Sequence, residues 1–225
     1  MTRLVVFDCD GTLVDSQYVI IESMQGAFER HGLALPTPKA IKHIVGLSLP
    51  DAISRLYGPN EEDEKPSIDI LASAYRDDFT KVRASKQIHE PLYPHVIETL
   101  ELLQEAGYLL GIATGKSQHG LLETLGVHGL TKYFITLQTA DIAPSKPHPG
   151  MMERAMAETG AEKDDTVLIG DTVFDIEMAR NAGTRAFGVS WGYHEVDKLH
   201  AAGAHLVLNH LSELLPLLAG LRSGD

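Results

Sequence analysis

From Pro91 onward, short apolar runs and stretches of helical periodicity take turns, and that alternation limits the folds open to the chain. Apolar runs at 108–113, 133–136, 166–169, 185–189 and 206–208 are too short for helices and read as strands. Between them, Leu100 and Leu103, Leu121 and Leu125, residues 150–159, 174–182, the stretch through Leu199 and Leu214 to Leu218 read as helices, several closed by a glycine such as Gly107, Gly126 or Gly183. Strands joined through helices run parallel, because a crossover returns the chain to the same end of the sheet. The expected class is α/β, a parallel sheet covered by helices on both faces. Leu4, Val5, Val6 and Phe7 supply one more continuous apolar run, that of a strand buried on both sides.

Between that first strand and Pro91 the pattern is helical only. Val19, Ile20, Met24, Ala27 and Phe28 share one face, Pro36 and Pro38 open a short helix, and Ala52, Ile53, Leu56 and Tyr57 begin another. Residues 68–89 form the longest helical candidate. The division this implies is a core of residues 1–15 and 88–225 with an all-helical insertion, 16–87. The chain has 225 residues, 44% of them hydrophobic, which suffices for a sizeable core plus such an insertion.

The formal net charge of −12 argues against a nucleic-acid partner, which needs clustered Lys and Arg. The run Glu61 to Glu64 reads as a solvated segment. No span approaches the roughly 18 apolar residues of a membrane crossing, and the N-terminal stretch, broken by Asp8 and Asp10, has no signal-peptide pattern; no membrane partner and a cytoplasmic location are expected. The single cysteine, Cys9, excludes an internal disulfide and, flanked by two acids, is expected to pack rather than react. The 11 histidines show no metal-ligand spacing and read as mostly surface residues.

Four stretches place chemically apt residues at or just after strand ends, where open parallel sheets bind ligands. The first strand ends in Asp8-Cys9-Asp10-Gly11. Two carboxylates held together repel, and either a bound cation or a shared proton relieves them. The cation reading predicts a hard ion, Mg2+. Asp and Gly are also common turn residues, so the residues alone leave a plain polar turn open. After the second strand comes Thr114-Gly115-Lys116, whose hydroxyl and helix-start N–H groups suit a phosphate. After the third comes Lys146 in a proline-stiffened loop, and after the fourth Gly170-Asp171-Thr172-Val173-Phe174-Asp175. Taken singly, the last is equally a helix N-cap with an acidic first turn.

Asp8, Asp10, Gly11, Thr12, Leu13, Asp15 and Ser16 match DxDGTLxDS, the first motif of the haloacid dehalogenase superfamily, and the other three stretches resemble its second to fourth motifs. Tyr93-Pro94, GIATGK, KPHP, GDTVFDIEMARNAG and residues 188–193 look like the branch that holds phosphoglycolate phosphatases, in which a helical cap follows the first motif. The resemblance covers essentially the whole chain. It implies a Rossmann-like core with an inserted helical cap, and hydrolysis of a small phosphomonoester, phosphoglycolate-like or a sugar phosphate, through an aspartyl-phosphate. By that resemblance Asp8 is the nucleophile and Asp10 the acid and base. Mg2+ is held by the Asp8 carboxylate, the Asp10 carbonyl and Asp171, with Asp175 as an outer or additional ligand. Thr114, Lys146 and the N–H groups near Gly11, Thr12 and Gly115 meet the phosphoryl oxygens. Leu47 and Ser48, in a loop resembling the cap loop of those enzymes, read the substrate.

A sugar-phosphate mutase or a pyrophosphatase would keep the same core acids, so both stay open. A dehalogenase has no need of Asp10, Asp171 and Asp175, and the cap lysines form no phosphonatase-like motif. From another class, a non-enzymatic phospho-switch would be about half this length without a cap, and a binding protein with a degenerate site would lack some of these groups. Neither the oligomeric state nor which of Gln17, Tyr18, Met24, Leu47 and Ser48 line the pocket is legible.

Overall fold

The computed structural model describes residues 3–58, 66–85 and 90–220. Its centre is a six-stranded sheet, β1 (Leu4–Phe7), β2 (Leu109–Thr114), β3 (Thr136–Thr139), β4 (Thr166–Gly170), β5 (Arg185–Val189) and β6 (Leu206–Leu208). The order is β3-β2-β1-β4-β5-β6 and every pairing is parallel. The order reverses between β1 and β4, and such a switch point opens a crevice beyond the strand ends.

All four residues of β1 are fully buried because helices cover both faces. Side chains alternate along a strand, so Val5 and Phe7 join one core while Leu4 and Val6 join the other. On the first face lie α5 (Val96–Glu105), α6 (Gln118–Val127) and α10 (Leu214–Gly220), through Leu100, Leu121 and Leu214. On the second lie α7 (Gly150–Thr159), α8 (Val173–Asn181) and α9 (Val196–Ala201), through Met151, Ile176 and Leu199. Each such fully buried side chain contributes about 1.5–3 kcal/mol of hydrophobic stabilisation.

Between β1 and α5 the chain makes α1 (Gln17–Arg30), α2 (Pro38–Lys42), α3 (Leu49–Tyr57) and α4 (Ile68–Ala84). Thr37, Ser48 and Ser67 cap the last three by accepting the N–H groups of Ala40, Asp51 and Ile70. The four helices enclose a core of their own, built on Ile20, Met24, Phe28, Ile41, Ile53 and Leu71. The chain leaves and re-enters the sheet region side by side: the Asp15 N–H donates to Pro91 O at 2.9 Å and the Tyr93 N–H to Leu13 O at 3.0 Å, with Val14 bridged to Leu92.

Two sequence expectations shift. The strand expected at 133–136 is β3, three residues later. Tyr133 instead ends a short 3-10 turn, packs into the first core and donates its hydroxyl to Glu101, while pairing with β2 starts only at Thr136. As an edge strand with one neighbour, β3 needs no apolar run, and the apolar Ile135 is left exposed. The helix expected to reach residue 89 ends at Ala84, where the carbonyls of Lys81 and Val82 accept the Ser85 N–H. Residues 86–89, the core boundary expected at 88 and the acidic run 61–64 lie outside the described residues. Among the described residues, no helix is long and apolar enough to cross a membrane.

Candidate active site

The acids that follow β1 and β4 meet at the switch point. Asp8, Asp171 and Asp175 are each buried, and one oxygen from each falls within 4.8 Å of the others. Lys146 brings a fully buried ammonium to this cluster, 2.7 Å from Asp8 Oδ1 and 2.6 Å from Asp175 Oδ1. If all three carboxylates were ionised, the single ammonium would leave two negative charges uncompensated in a low-dielectric setting, and the site resists that state. Burial, with Asp175 adding to it against the opposing pull of Lys146, raises the Asp8 carboxyl from 3.8 to about 7. Burial and the neighbouring Asp8 and Asp175 raise Asp171 well above the carboxylate range. Burial alone would lower Lys146, but Asp175 and Asp8 outweigh it and hold its pKa up.

Asp171 is fixed by three neighbours. The Thr12 hydroxyl donates to its Oδ1 at 3.0 Å and the Tyr193 N–H to its Oδ2 at 2.9 Å. Gly11, at φ +86°, presses against the same carboxylate; a Cβ there would come within 2.3 Å of Oδ2. Asp175 is the N3 residue of a capping box on α8: its Oδ2 accepts the Thr172 N–H at 3.0 Å and hydroxyl at 2.6 Å. The helix-cap and functional readings of this stretch therefore coincide on one residue. Asp8 is different. Apart from the Lys146 ammonium 2.7 Å from Oδ1, neither of its buried oxygens has a partner among the described residues.

Asp10 stands apart from the three-acid cluster. Its Oδ1 accepts the Ser16 hydroxyl at 2.5 Å and the Lys116 ammonium at 2.8 Å. Burial works against the Lys116 charge, but Asp10, Cys9 and Glu90 together outweigh it and raise that pKa. Asp8 and Asp10 both line a cavity of about 330 Å3 between the sheet and the four-helix insertion, together with Thr114, Gly115 and Lys116. The Thr114 hydroxyl accepts the Lys116 N–H at 3.3 Å. The Gly11 N–H is spent on Val14 O at 2.9 Å, so this glycine shapes the turn and is not a donor to an anion. The N–H groups of Thr12 and Gly115 have no acceptor among the described residues.

The insertion closes the cavity from above. Met24, Leu47 and Ser48 line it; Gln17 instead donates to Asp15, and Tyr18 is exposed on the outer face. The loop 46–48 rests directly on the sheet side: the Ser48 N–H donates to Ser145 Oγ at 2.8 Å, and a Cβ on Gly115 would fall 2.1 Å from Leu47 O. Gly115 is thus a contact point for the insertion as much as a phosphate cradle. Arg76 of α4 is on the cavity wall, and its guanidinium has no ion-pair or hydrogen-bond partner among the described residues.

Sequence reasoning did not assign Lys116, Ser16, Thr172 or Tyr193, although each stands inside a stretch it singled out. His194, 4% exposed, is the buried exception among the described histidines, which are otherwise exposed or half-buried as expected. Cys9 packs in the core as expected, and burial, reinforced by Asp10, raises its thiol pKa far up.

The model of the family described as haloacid dehalogenase-like hydrolases matches residues 5–189. The protein named "Probable phosphatase IndB" of Dickeya dadantii (strain 3937) is 35% identical over 216 residues, 96% of this chain and 93% of that one. A phosphoglycolate phosphatase of Vibrio parahaemolyticus is 30% identical, covering 96% of each. The pyrophosphatase PpaX of Bacillus pumilus is also 30% identical, covering 95% of each. The crystal structure of a hydrolase from Pseudomonas syringae superposes with a TM-score of 0.84 at 25% identity, over 98% of this chain and 99% of that one.

Proposed function

Because this chain is a hydrolase of the haloacid dehalogenase-like family, we propose that it is a Mg2+-dependent phosphatase acting on a small phosphomonoester through an aspartyl-phosphate. The observation that carries the reading is Asp8: a buried carboxylate on the cavity wall whose oxygens, among the described residues, meet only the Lys146 ammonium. The same lid-and-core division follows, with residues 16–87 as the lid and 1–15 and 88–225 as the core.

An Asp8 oxygen forms the bond to phosphorus as the ester P–O bond breaks on the opposite side. Splitting one displacement into two lowers each barrier. Asp10 gives its proton to the departing oxygen and takes one back from the water that attacks the aspartyl-phosphate, releasing inorganic phosphate and restoring Asp8. The Lys116 ammonium donates to Asp10 Oδ1 at 2.8 Å and holds that carboxyl in place at the cavity. Lys146, Thr114 and the N–H groups of Thr12 and Gly115 face the transferring oxygens, whose charge compensation is most of what such catalysis requires. When ionised, Asp8, Asp171 and Asp175 carry two charges beyond that of the Lys146 ammonium, and these hard oxygen donors fit a divalent cation. Asp8, the Asp10 carbonyl and Asp171 would hold it, with Asp175, already engaged by Thr172 and Lys146, in an outer position. When bound, Mg2+ supplies Lewis-acid neutralisation of the phosphoryl oxygens.

Arg76 narrows the leaving group. A cation on the cavity wall without a partner among the described residues suits a substrate bearing a second anion, a carboxylate as in phosphoglycolate or a second phosphate as in pyrophosphate. The latter makes pyrophosphate hydrolysis the second reading. The deciding experiment is phosphate release from phosphoglycolate, sugar phosphates and pyrophosphate, with and without Mg2+, by the native protein and Asp8→Asn. Release that needs Mg2+ and disappears in the variant is expected. Turnover of the variant within about tenfold of native removes Asp8 as nucleophile, since that loss normally costs several kcal/mol.

A further inference from the structure

The buried histidine His194 is unused by this reaction, and it sits where the insertion meets the acid-bearing helix. Its Nδ1 accepts the N–H of Val173 at 3.1 Å, the first residue of α8 and two before Asp175. That N–H is one of the donors a helix start leaves without an internal partner. An accepting Nδ1 puts the ring proton on Nε2, which lies 3.2 Å from the carbonyl oxygen of His43, at the end of α2 in the insertion. The two imidazoles stack with centroids 4.8 Å apart at 23°, and Phe174 meets His194 edge-on at 5.6 Å.

We propose that His194 is a positioning residue for closure of the lid, holding the insertion to the start of α8 through one hydrogen bond on each ring nitrogen. The bridge requires a neutral ring. A protonated Nδ1 is a donor aimed at another donor, so the Val173 bond is lost and a charge is stranded between two elements. The charged and titratable groups around it are few. His43 faces it from the insertion, Asp175 from α8, and Lys198 from α9, where Lys198 pairs with Glu195 at 3.4 Å; Arg55 of α3 lies over the Phe174 ring at 5.0 Å. Burial, with His43 and Lys198 acting the same way, lowers the His194 pKa below 6.5 and outweighs Asp175. The closed arrangement is therefore favoured at neutral pH and weakens on acidification.

The kinetic consequence rests on the phosphatase reading, so the primary readout is hydrogen exchange of the whole protein, which needs no substrate. Peptides covering residues 40–50 are followed at pH 7.5 and pH 5, corrected for intrinsic exchange, in the native chain, His194→Leu and His194→Gln. A glutamine amide reaches the Nε2 position and bonds the His43 carbonyl without titrating. At pH 7.5, His194→Leu is expected to exchange faster by about three- to tenfold, the worth of a lost buried hydrogen bond, and His194→Gln to stay closer to native. On acidification the native chain loses protection and His194→Gln does not. With a substrate, His194→Leu raises KM several-fold while kcat changes by less than about twofold. Equal protection in native and His194→Leu, or an identical acid response in native and His194→Gln, overturns the proposal. If the exchange results hold while no phosphomonoester is turned over, the phosphatase reading fails and the role of His194 stands.

Discussion

Replacing Asp8 by Asn should make the metal-free protein more stable while removing its activity. The Asp8 carboxyl is raised to about 7 from an ordinary 3.8, so its ionised form opposes folding. Each pKa unit is worth about 1.36 kcal/mol, which puts the full penalty on the order of 4 kcal/mol. A folded pKa above the unfolded one means that the penalty is absent below about pH 4, grows as the pH rises through the interval to about 7, and is complete above that. Asparagine has nearly the same shape and never ionises. Relaxation of neighbouring groups will absorb part of the gain, so a stabilisation of about 2–4 kcal/mol is expected at pH 8, or roughly 5–15 °C in Tm for a chain of this size. The assay is calorimetry of native protein and Asp8→Asn in chelator at pH 8 and pH 4.5. The gap should be wide at the first and nearly closed at the second. Saturating Mg2+ should narrow it at pH 8, since a ligand at 100 times its Kd stabilises its site by about 2.7 kcal/mol and the variant offers one acid fewer. A variant less stable than native at pH 8 without metal, or a gap that does not change with pH, would refute the reasoning.

Three further outcomes are expected. Gly115→Ala puts a Cβ 2.1 Å from Leu47 O, so the loop cannot seat; KM should rise tenfold or more, with circular dichroism unchanged. Arg76→Gln should raise KM for substrates with a second anion by about 10- to 100-fold, the worth of a charge-assisted hydrogen bond, and leave p-nitrophenyl phosphate unaffected; equal losses on both would contradict the assignment. Lys146→Met removes the ammonium that touches Asp8 and Asp175, which should cost about 3–5 kcal/mol in chelator, with a larger share recovered on adding Mg2+ than native protein gains.

The parallel sheet was legible because buried strands must be continuously apolar, and β1, β4 and β5 obey that rule. β3 was misplaced for the converse reason: an edge strand has no such requirement, and the apolar Tyr133 and Phe134 serve the core from outside the ladder. The acids were legible as a set because each follows a strand, and the sheet brings strand ends together whatever their separation in sequence. What could not be read was which acid pairs with which base. Asp10 is two residues from Asp8, yet its ammonium comes from Lys116 while Asp8 shares Lys146 with Asp175, a division decided by loop geometry. Gly11 spends its N–H on Val14 O and is needed for its positive φ, while Gly115 keeps an N–H without an acceptor among the described residues and also leaves space for Leu47. Neither packing need has a local sequence signature. His194 was invisible for a related reason, since both of its partners are main-chain groups.

The paired crossing at Leu13–Asp15 and Pro91–Tyr93 decides how the lid can move. Two chain segments that hydrogen-bond to each other can bend together but cannot slide past one another, so the insertion is left with a swing about one axis and little translation. That axis lies only a few residues beyond Asp10, yet the turn between them is closed by its own bonds, Gly11 N–H to Val14 O and Leu13 N–H to Cys9 O. Asp8, at the end of β1, donates its N–H to Ile169 O at 2.9 Å and is thus anchored by the sheet and not by the insertion. The insertion and the acids beneath it are instead joined at two places, the Ser16 hydroxyl on Asp10 at 2.5 Å and the His194 bridge to the start of α8. A swing of the insertion reaches the acids through those two contacts.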